Sequence, residues 1–392
     1  MAKKILFLRT PPYDINPNSY NNQQIGLGKA FCRLGYDFDF VTFKKRNQKE
    51  WVFFEHNGCR ARWIEMPRMR FMRWGINKDV LKKEFIDQYN VILSQEYYQI
   101  MTYLISRHTD RIVMYSGPYT NLFMLPFFSP IYDMLLTNKI NSQIKLKLAK
   151  SKLANVFLAN KGYQNVHTVG VGLDYERFDN EHDIKPETQQ IVDFMRNNKC
   201  ILYVGSLWSV KNYPFLLKVY EKVMQRDPEV KFVLIGKSKA SPWAKLIGKT
   251  DDSYAESVEK TLPENVKNGM YHVTRIDNPQ LKYIYPLAKA FLLPSKFEIW
   301  GMVLMEAMYL GAPVVTGKNG GSTTLIDSDE YGQIVEELDA DRWADAVMKF
   351  LNDNDYAERV KKNAYQRVKD EYNWNVIAKR MLGLIKANNY DV

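Results

Sequence analysis

The order strand, polar loop, amphipathic helix, strand occurs twice in this chain, and that recurrence limits the fold more than any other feature. In the first half "KILFL" (4–8) reads as a buried strand. A loop rich in Pro and Asn, a helical stretch "QQIGLGKAFCRLG" stopping at Gly35, and "DFDFVTF" follow it. In the second half "CILYVG" (200–205) precedes the loop "SLWSVKN", the amphipathic run "YPFLLKVYEKVMQRD" and a further apolar strand, "KFVLIG" (231–236). A helix between two strands returns the chain to its starting edge, so the strands run parallel and the sheet is covered on both faces. The expected fold is α/β, with two Rossmann-like doubly wound domains facing a cleft. Residues 1–178 are expected to form the first domain, the polar stretch 179–196 a linker and 197–375 the second domain. Residues 376–392 read as a helix packing back on the first.

With 392 residues, 46% hydrophobic and 14% aromatic, each domain can bury its own core. Cys32, Cys59 and Cys200 are odd in number and without metal spacing, which favours a reducing, cytoplasmic setting. The five histidines are dispersed and give no zinc motif. The apolar run before Arg9, Ile5 to Leu8, is only four residues long, shorter than a signal peptide needs. The most apolar later run, "NLFMLPFFSPIYDMLL" (121–136), is broken by Pro126, Pro130 and Asp133. It falls short of the ~20 apolar residues of a membrane-spanning helix.

"FEIWGMVLMEAMYLGAPVV" (297–315) puts Glu298 and Glu306 into an otherwise nearly uncharged run. A carboxylate there costs several kcal/mol unless it is paired. The run reads as the end of a β–loop–α–β unit: strand "AFLLP" (290–294), loop "SKFEIWG", helix "MVLMEAMYL", stop at Gly311, strand "PVVT". Glu298 then lies in the loop at the strand's carboxyl end. Glu306 lies on the helix's second turn, about 7 Å along its axis. Both acids border one pocket whose floor is the helix N-terminus, with free N–H groups near Gly301, Met302 and Val303, an anion site. Taken singly, each acid has an ordinary alternative as a partner of the helix dipole or a surface residue.

Five segments in order resemble one family. "PSKFEIWGMVLMEAM" resembles the E-x7-E segment of retaining glycosyltransferases of GT-B architecture, most closely glycosyltransferase family 4. "YVGSLWSVKNYPFLL" is similar to that family's phosphate-binding segment. "FVLIGKS", "NPQLKYIYPLAKAFLLPS" and "GYQNVHTVGVGLDYERF" fall in the family's order, and the likeness covers roughly residues 155–385. The resemblance implies a nucleoside-diphosphate sugar as donor substrate, with no further cofactor and no metal. Glu306 matches the family's ribose ligand, and Glu298 the position that accepts from sugar hydroxyls. Backbone amides at Gly301, Met302 and Val303 would meet the sugar or diphosphate. Lys211, six positions after Gly205, matches the lysine on the leaving diphosphate. The family's usual arginine after that glycine is replaced by Ser206, which can donate a hydroxyl. Lys237, Lys239 or Arg275, beside Ile276, are cations available to substitute. Lys211 and Glu298 are the two residues expected to be catalytic.

The acceptor side is less legible. "RIVMYSGPYTN" (111–121) has no histidine where family members often carry one; Tyr115, Ser116 and Tyr119 either line a cleft or pack as core. Asn21, Asn22 and Gln23, in "NPNSYNNQQIG" (16–26), suit hydroxyl-rich ligands, though asparagines also build plain turns. The implied acceptor is a glycan or lipid-linked glycan of a surface polysaccharide or glycolipid.

Net charge is +11. Residues 1–178 hold 26 Lys and Arg against 14 Asp and Glu, the remainder 29 against 30, so the first half alone faces something anionic. "RARWIEMPRMRFMRWGINK" (60–78) and "KINSQIKLKLAKSKL" (139–153) mix basic with aromatic or aliphatic residues. They suit an anionic membrane surface, with solvated helix faces as the plain alternative. No nucleic-acid motif accompanies them. Two other functional readings stay open: a non-catalytic sugar-nucleotide or glycan-binding protein, and a GT-B transferase or epimerase of different stereochemical outcome.

Overall fold

A computed structural model describes residues 3–17, 19, 22–46, 48–72, 74–122, 128–238 and 251–392. The chain divides into two compact units, Met1–Asp174 with Glu371–Val392, and Tyr175–Asp370. The first holds β1 (Lys4–Arg9), β2 (Asp37–Lys44), β3 (Glu50–His56) and β4 (Cys59–Pro67). It also holds the small hairpin β5 (Met69–Phe71) and β6 (Trp74–Ile76), then β7 (Val91–Gln95), β8 (Ile112–Ser116), β9 (Lys147–Ala149) and β10 (Val166–Thr168). Apart from the hairpin they form one sheet in the order β10-β9-β8-β7-β1-β2-β4-β3, parallel except for β3. Runs such as Ile5–Leu8 and Val91–Leu93 are buried on both faces, which is why they read as continuously apolar rather than alternating.

The second unit holds β11 (Cys200–Val204), β12 (Lys231–Ile235), β13 (Met270–Val273), β14 (Ala290–Leu293), β15 (Val314–Thr316) and β16 (Gln333–Ile334). Its sheet is wholly parallel, in the order β13-β12-β11-β14-β15-β16. Strand order reverses between β1 and β7 in one sheet and between β11 and β14 in the other. At such a reversal the flanking connections leave on opposite faces and open a crevice beyond the strands' carboxyl ends.

Segment 179–196 is not a bare linker. Helix Pro186–Arg196 buries Thr188, Ile191, Val192 and Met195 within the second unit, and Lys185 N–H donates to Gln280 Oε1 at 2.9 Å. The polar composition that reads as linker covers only the outward face of that helix. Helix Trp374–Ala387 belongs to the first unit; a Cβ on Gly26 would lie 2.1 Å from the Trp374 ring. None of the described helices is long and apolar enough to cross a membrane.

Candidate functional site

Three loops at the carboxyl ends of β11, β14 and β15 are built against one another. After β11, Gly205 adopts φ +155° and its N–H donates to Ile235 O at 2.9 Å. A Cβ on Gly236 would sit 1.7 Å from Gly205 O, so bare backbones touch here. A short turn, Ser209–Lys211, leads to Asn212 in the left-handed region (φ 58°) and into helix Tyr213–Arg226. The Lys296 N–H donates to Val210 O at 3.0 Å and ties this loop to the one after β14.

That tie places Lys211 on Glu298. The ammonium is ion-paired with Glu298 Oε1, which also accepts from Ser295 Oγ at 3.3 Å. Both side chains are mostly buried. Burial pulls the Lys211 ammonium down to about 8. Gly301 (φ +74°, ψ +71°) turns the chain into helix Met302–Tyr309. Leu304 N–H donates back to Gly301 O at 2.9 Å, whereas the N–H groups of Met302 and Val303 have no partner within the helix.

One turn further, Glu306 is fully buried. Its Oε1 accepts from Asn278 Nδ2 at 3.3 Å, and its Oε2 has no partner. Desolvation pushes its carboxyl up to about 7, against the charge of Arg177 and the Asn278 bond. Arg177 donates to Asn278 Oδ1 at 3.4 Å. An orphaned carboxylate oxygen inside a protein is a standing cost that a hydroxyl donor would remove.

The sequence reading missed the third loop, Gly317–Gly321. The Gly320 N–H donates to Glu298 O at 3.1 Å, and a Cβ on Gly321 would fall 1.6 Å from Trp300 O. The buried Asn319 shapes the loop, its Oδ1 accepting from Ser322 N–H at 2.9 Å and its Nδ2 donating to Gly317 O at 3.0 Å. The Gly-Gly pair after a strand was the available signal. Gly321→Ala is expected to push this loop off Trp300 and cost about 1–3 kcal/mol. A urea titration checks it; an unchanged midpoint would mean the loop does not depend on that approach.

The other expected donor residues lie in the loops after β11 and β13. Ser206 is exposed. Arg275, 75% exposed, stands 4.0 Å from Asp277 and has no bond or ion pair with Lys211, Glu298 or Glu306; Ile276 beside it is half-buried. Both follow β13, at the sheet's edge. Lys239 lies outside the described residues.

In the first unit the expected acceptor residues separate. Asn21 lies outside the described residues. Asn22 staples its own loop, Nδ2 donating to Asn16 O at 2.9 Å and Pro17 O at 3.2 Å, and Gln23 opens helix Gln23–Arg33. Tyr115 is a core residue, ring against Phe7 and hydroxyl on Gly170 O at 3.0 Å, because inward positions of a central strand are buried. Tyr119 is half-buried. Ser116 is buried and donates at 3.1 Å to Glu96 Oε2, which also accepts from Gly117 N–H at 3.0 Å.

Glu96 itself went unread in the sequence. It is 5% exposed, holds the strained φ of +72°, and lies 3.6 Å from the buried Lys150. Gln95 Nε2 donates to its Oε1 at 2.9 Å. Lys150→Met should cost about 2 kcal/mol, less than a wholly stranded charge because Glu96 keeps three other donors. Chemical denaturation reads this; no loss would show that the pair holds nothing together.

Residues 184–367 match the family described as glycosyl transferases group 1. Over 386 residues the chain is 24% identical to an uncharacterized glycosyltransferase of Methanocaldococcus jannaschii, covering 92% of each. It spans roughly half the length of several further curated relatives, such as mannosylfructose-phosphate synthase of Agrobacterium fabrum (24% identical; 57% of this chain, 48% of that one). Among solved structures, sucrose-phosphate synthase of Thermosynechococcus elongatus superposes with TM-score 0.68 at 19% identity, covering 98% of each chain. Anabaena HepE in complex with UDP-glucose gives 0.67 at 16%, covering 98% and 99%. Two parallel sheets with reversed strand order and a match to group 1 over most of the second unit thus make this a GT-B fold protein resembling the glycosyltransferases of family 4.

Proposed function

We propose that the protein transfers a sugar from a nucleoside-diphosphate sugar to a hydroxyl of a glycan or lipid-linked glycan, with retention at the anomeric carbon. The observation carrying this reading is the buried, half-satisfied Glu306 on the helix that follows the Glu298 loop, with Lys211 ion-paired to Glu298, at the strand-order reversal of the second sheet. Two ribose hydroxyls donating to Glu306 would satisfy its free oxygen and favour its ionised form. HepE, of like fold, binds UDP-glucose, which supports the donor class.

Donor binding would exchange partners at the centre. Lys211 turns from Glu298 to the diphosphate, and Glu298 is released to accept from sugar hydroxyls. As the glycosidic bond to the diphosphate breaks, charge grows on the leaving oxygen, where Lys211 and the first-turn N–H groups of helix Met302–Tyr309 stabilise it. The acceptor oxygen enters on the face the leaving group vacates, and its proton passes to the departing phosphate oxygen. Neither acid is spent as a covalent nucleophile. Charge neutralisation is assigned to the protein, so transfer should persist in EDTA.

A thermal-shift screen of UDP-, GDP-, ADP- and dTDP-sugars, followed by NMR of the product, tests this. A stabilising donor, released nucleotide and a retained anomer are expected. Binding without turnover would make the chain a sugar-nucleotide binder, and an inverted product would remove the same-face mechanism.

A further inference from the structure

The first unit carries 28 Lys and Arg against 15 Asp and Glu, the second 27 against 29. Much of the basic sequence that suggested a membrane surface is already committed. Lys147 is buried, its Nζ donating to Asn141 O at 3.0 Å, and Lys150 is buried against Glu96. Arg62 is ion-paired to Asp39 at 2.7 Å and Arg68 to Asp14 at 2.8 Å, while Trp63 is core.

Uncommitted apolar surface lies instead on two elements that touch. Hairpin β5–β6 exposes Met69, Phe71 and Met72, with Phe71 56% accessible. The segment from Ile131 to Leu135 exposes Ile131, Met134 and Leu135, with Met134 72% accessible. The ring of Trp74 joins them, stacked on Phe71 at 6.2 Å and tilted against Tyr132 at 6.4 Å. Six of the ten exposed large hydrophobic side chains among the described residues fall on this one surface.

Its polar detail fits the same use. The backbone over Asp133–Thr137 is wound as a π-helix, a rare turn. Asp133, the acid within it, points inward: Lys161 neutralises it, and Ser129 and Thr137 donate to it at 3.3 and 3.1 Å. The outer face of the segment is left without negative charge. Arg70 and Lys139 flank the surface, exposed and without a carboxylate partner among the described residues.

We infer that this surface docks on an anionic lipid bilayer, the six apolar side chains entering the interface while Arg70 and Lys139 meet lipid phosphates. Unpaired cations around an apolar patch on a strongly basic unit favour a lipid surface over a second, equally basic copy of the chain. That the membrane delivers a lipid-linked acceptor rests on the function proposed above; the docking itself does not.

Flotation with vesicles of phosphatidylcholine alone, and with one-third phosphatidylglycerol, reads the proposal. Binding is expected only to the anionic vesicles, with release at about 0.5 M salt, where screening shortens to a few ångströms. The double variant Phe71→Ser, Met134→Ser should bind at least tenfold more weakly, and Arg70→Gln with Lys139→Gln should weaken binding similarly. Equal binding to neutral vesicles, undiminished binding by either variant, or dimers in sedimentation that the serine variant abolishes would overturn it. Nucleotide-sugar thermal shifts on the same variants should match the parent protein. A parent without any shift would count against the transferase and leave the docking result standing.

Discussion

Glu306→Leu is expected to give a protein that melts several degrees higher and no longer holds its donor. The native carboxyl is wholly buried, titrates near 7 and has one oxygen without a partner. An unfolded chain would release that proton near 4.5, the group's ordinary value. Folding therefore favours the protonated form. Its contribution to stability is greatest below about pH 4.5, declines as pH rises towards about 7, and is flat beyond, for a total near 3 kcal/mol. The leucine variant escapes this penalty, less what Asn278 loses with its acceptor. Its advantage over the parent should thus be small at about pH 5 and full at about pH 8.

Donor affinity should move the other way. Removing a charged acceptor of two hydroxyls costs roughly 1.5–3 kcal/mol, about ten- to a hundredfold in Kd. In the parent, affinity should rise with pH up to about 7, since ribose hydroxyls bind the ionised carboxylate. Calorimetry below that pH, in buffers of different ionisation enthalpy, should register proton release on binding. Tight donor binding by Glu306→Leu would remove the carboxylate from the site.

Lys211→Met should act on turnover rather than on binding. Its ammonium is placed where leaving-group charge develops, and loss of such a group costs about a hundred- to a thousandfold in kcat. Donor Kd should change by much less, because Glu298, relieved of its ion pair, remains free for sugar hydroxyls. The parent's kcat/KM, which reports the free enzyme, should fall on the alkaline side of about pH 8 as the ammonium, already pulled down by burial, gives up its proton. Lys211→Arg keeps the charge and should recover part of the rate. A kcat within threefold of the parent in Lys211→Met would reassign the lysine to holding Glu298 in place.

Some of this was readable along the chain. β11, β12, β14 and β15 appear as short apolar runs, since a strand buried on both faces must be apolar throughout. Glu298, Gly301 and Glu306 lie within nine residues of one another, and their placement depends on one strand–loop–helix unit. Local spacing suffices there.

Other features were not readable, for one physical reason. Lys211 and Glu298 are 87 positions apart and meet because β11 and β14 are neighbours across the reversal of strand order. Asn278 and Arg177 reach Glu306 from separate segments. Glu96 and Lys150 pair across β7, β8 and β9. Two lysines that look solvated in "KINSQIKLKLAKSKL", Lys147 and Lys150, are drawn inward, while Phe71 and Met134, apolar enough for a core, stay outside. The sequence by itself determined which segments are strands and helices and which acids lie near a helix start, because those depend on periodicity over a few residues. Strand order across each sheet depends on long-range burial, and so only the tertiary structure decided which distant charges are partners.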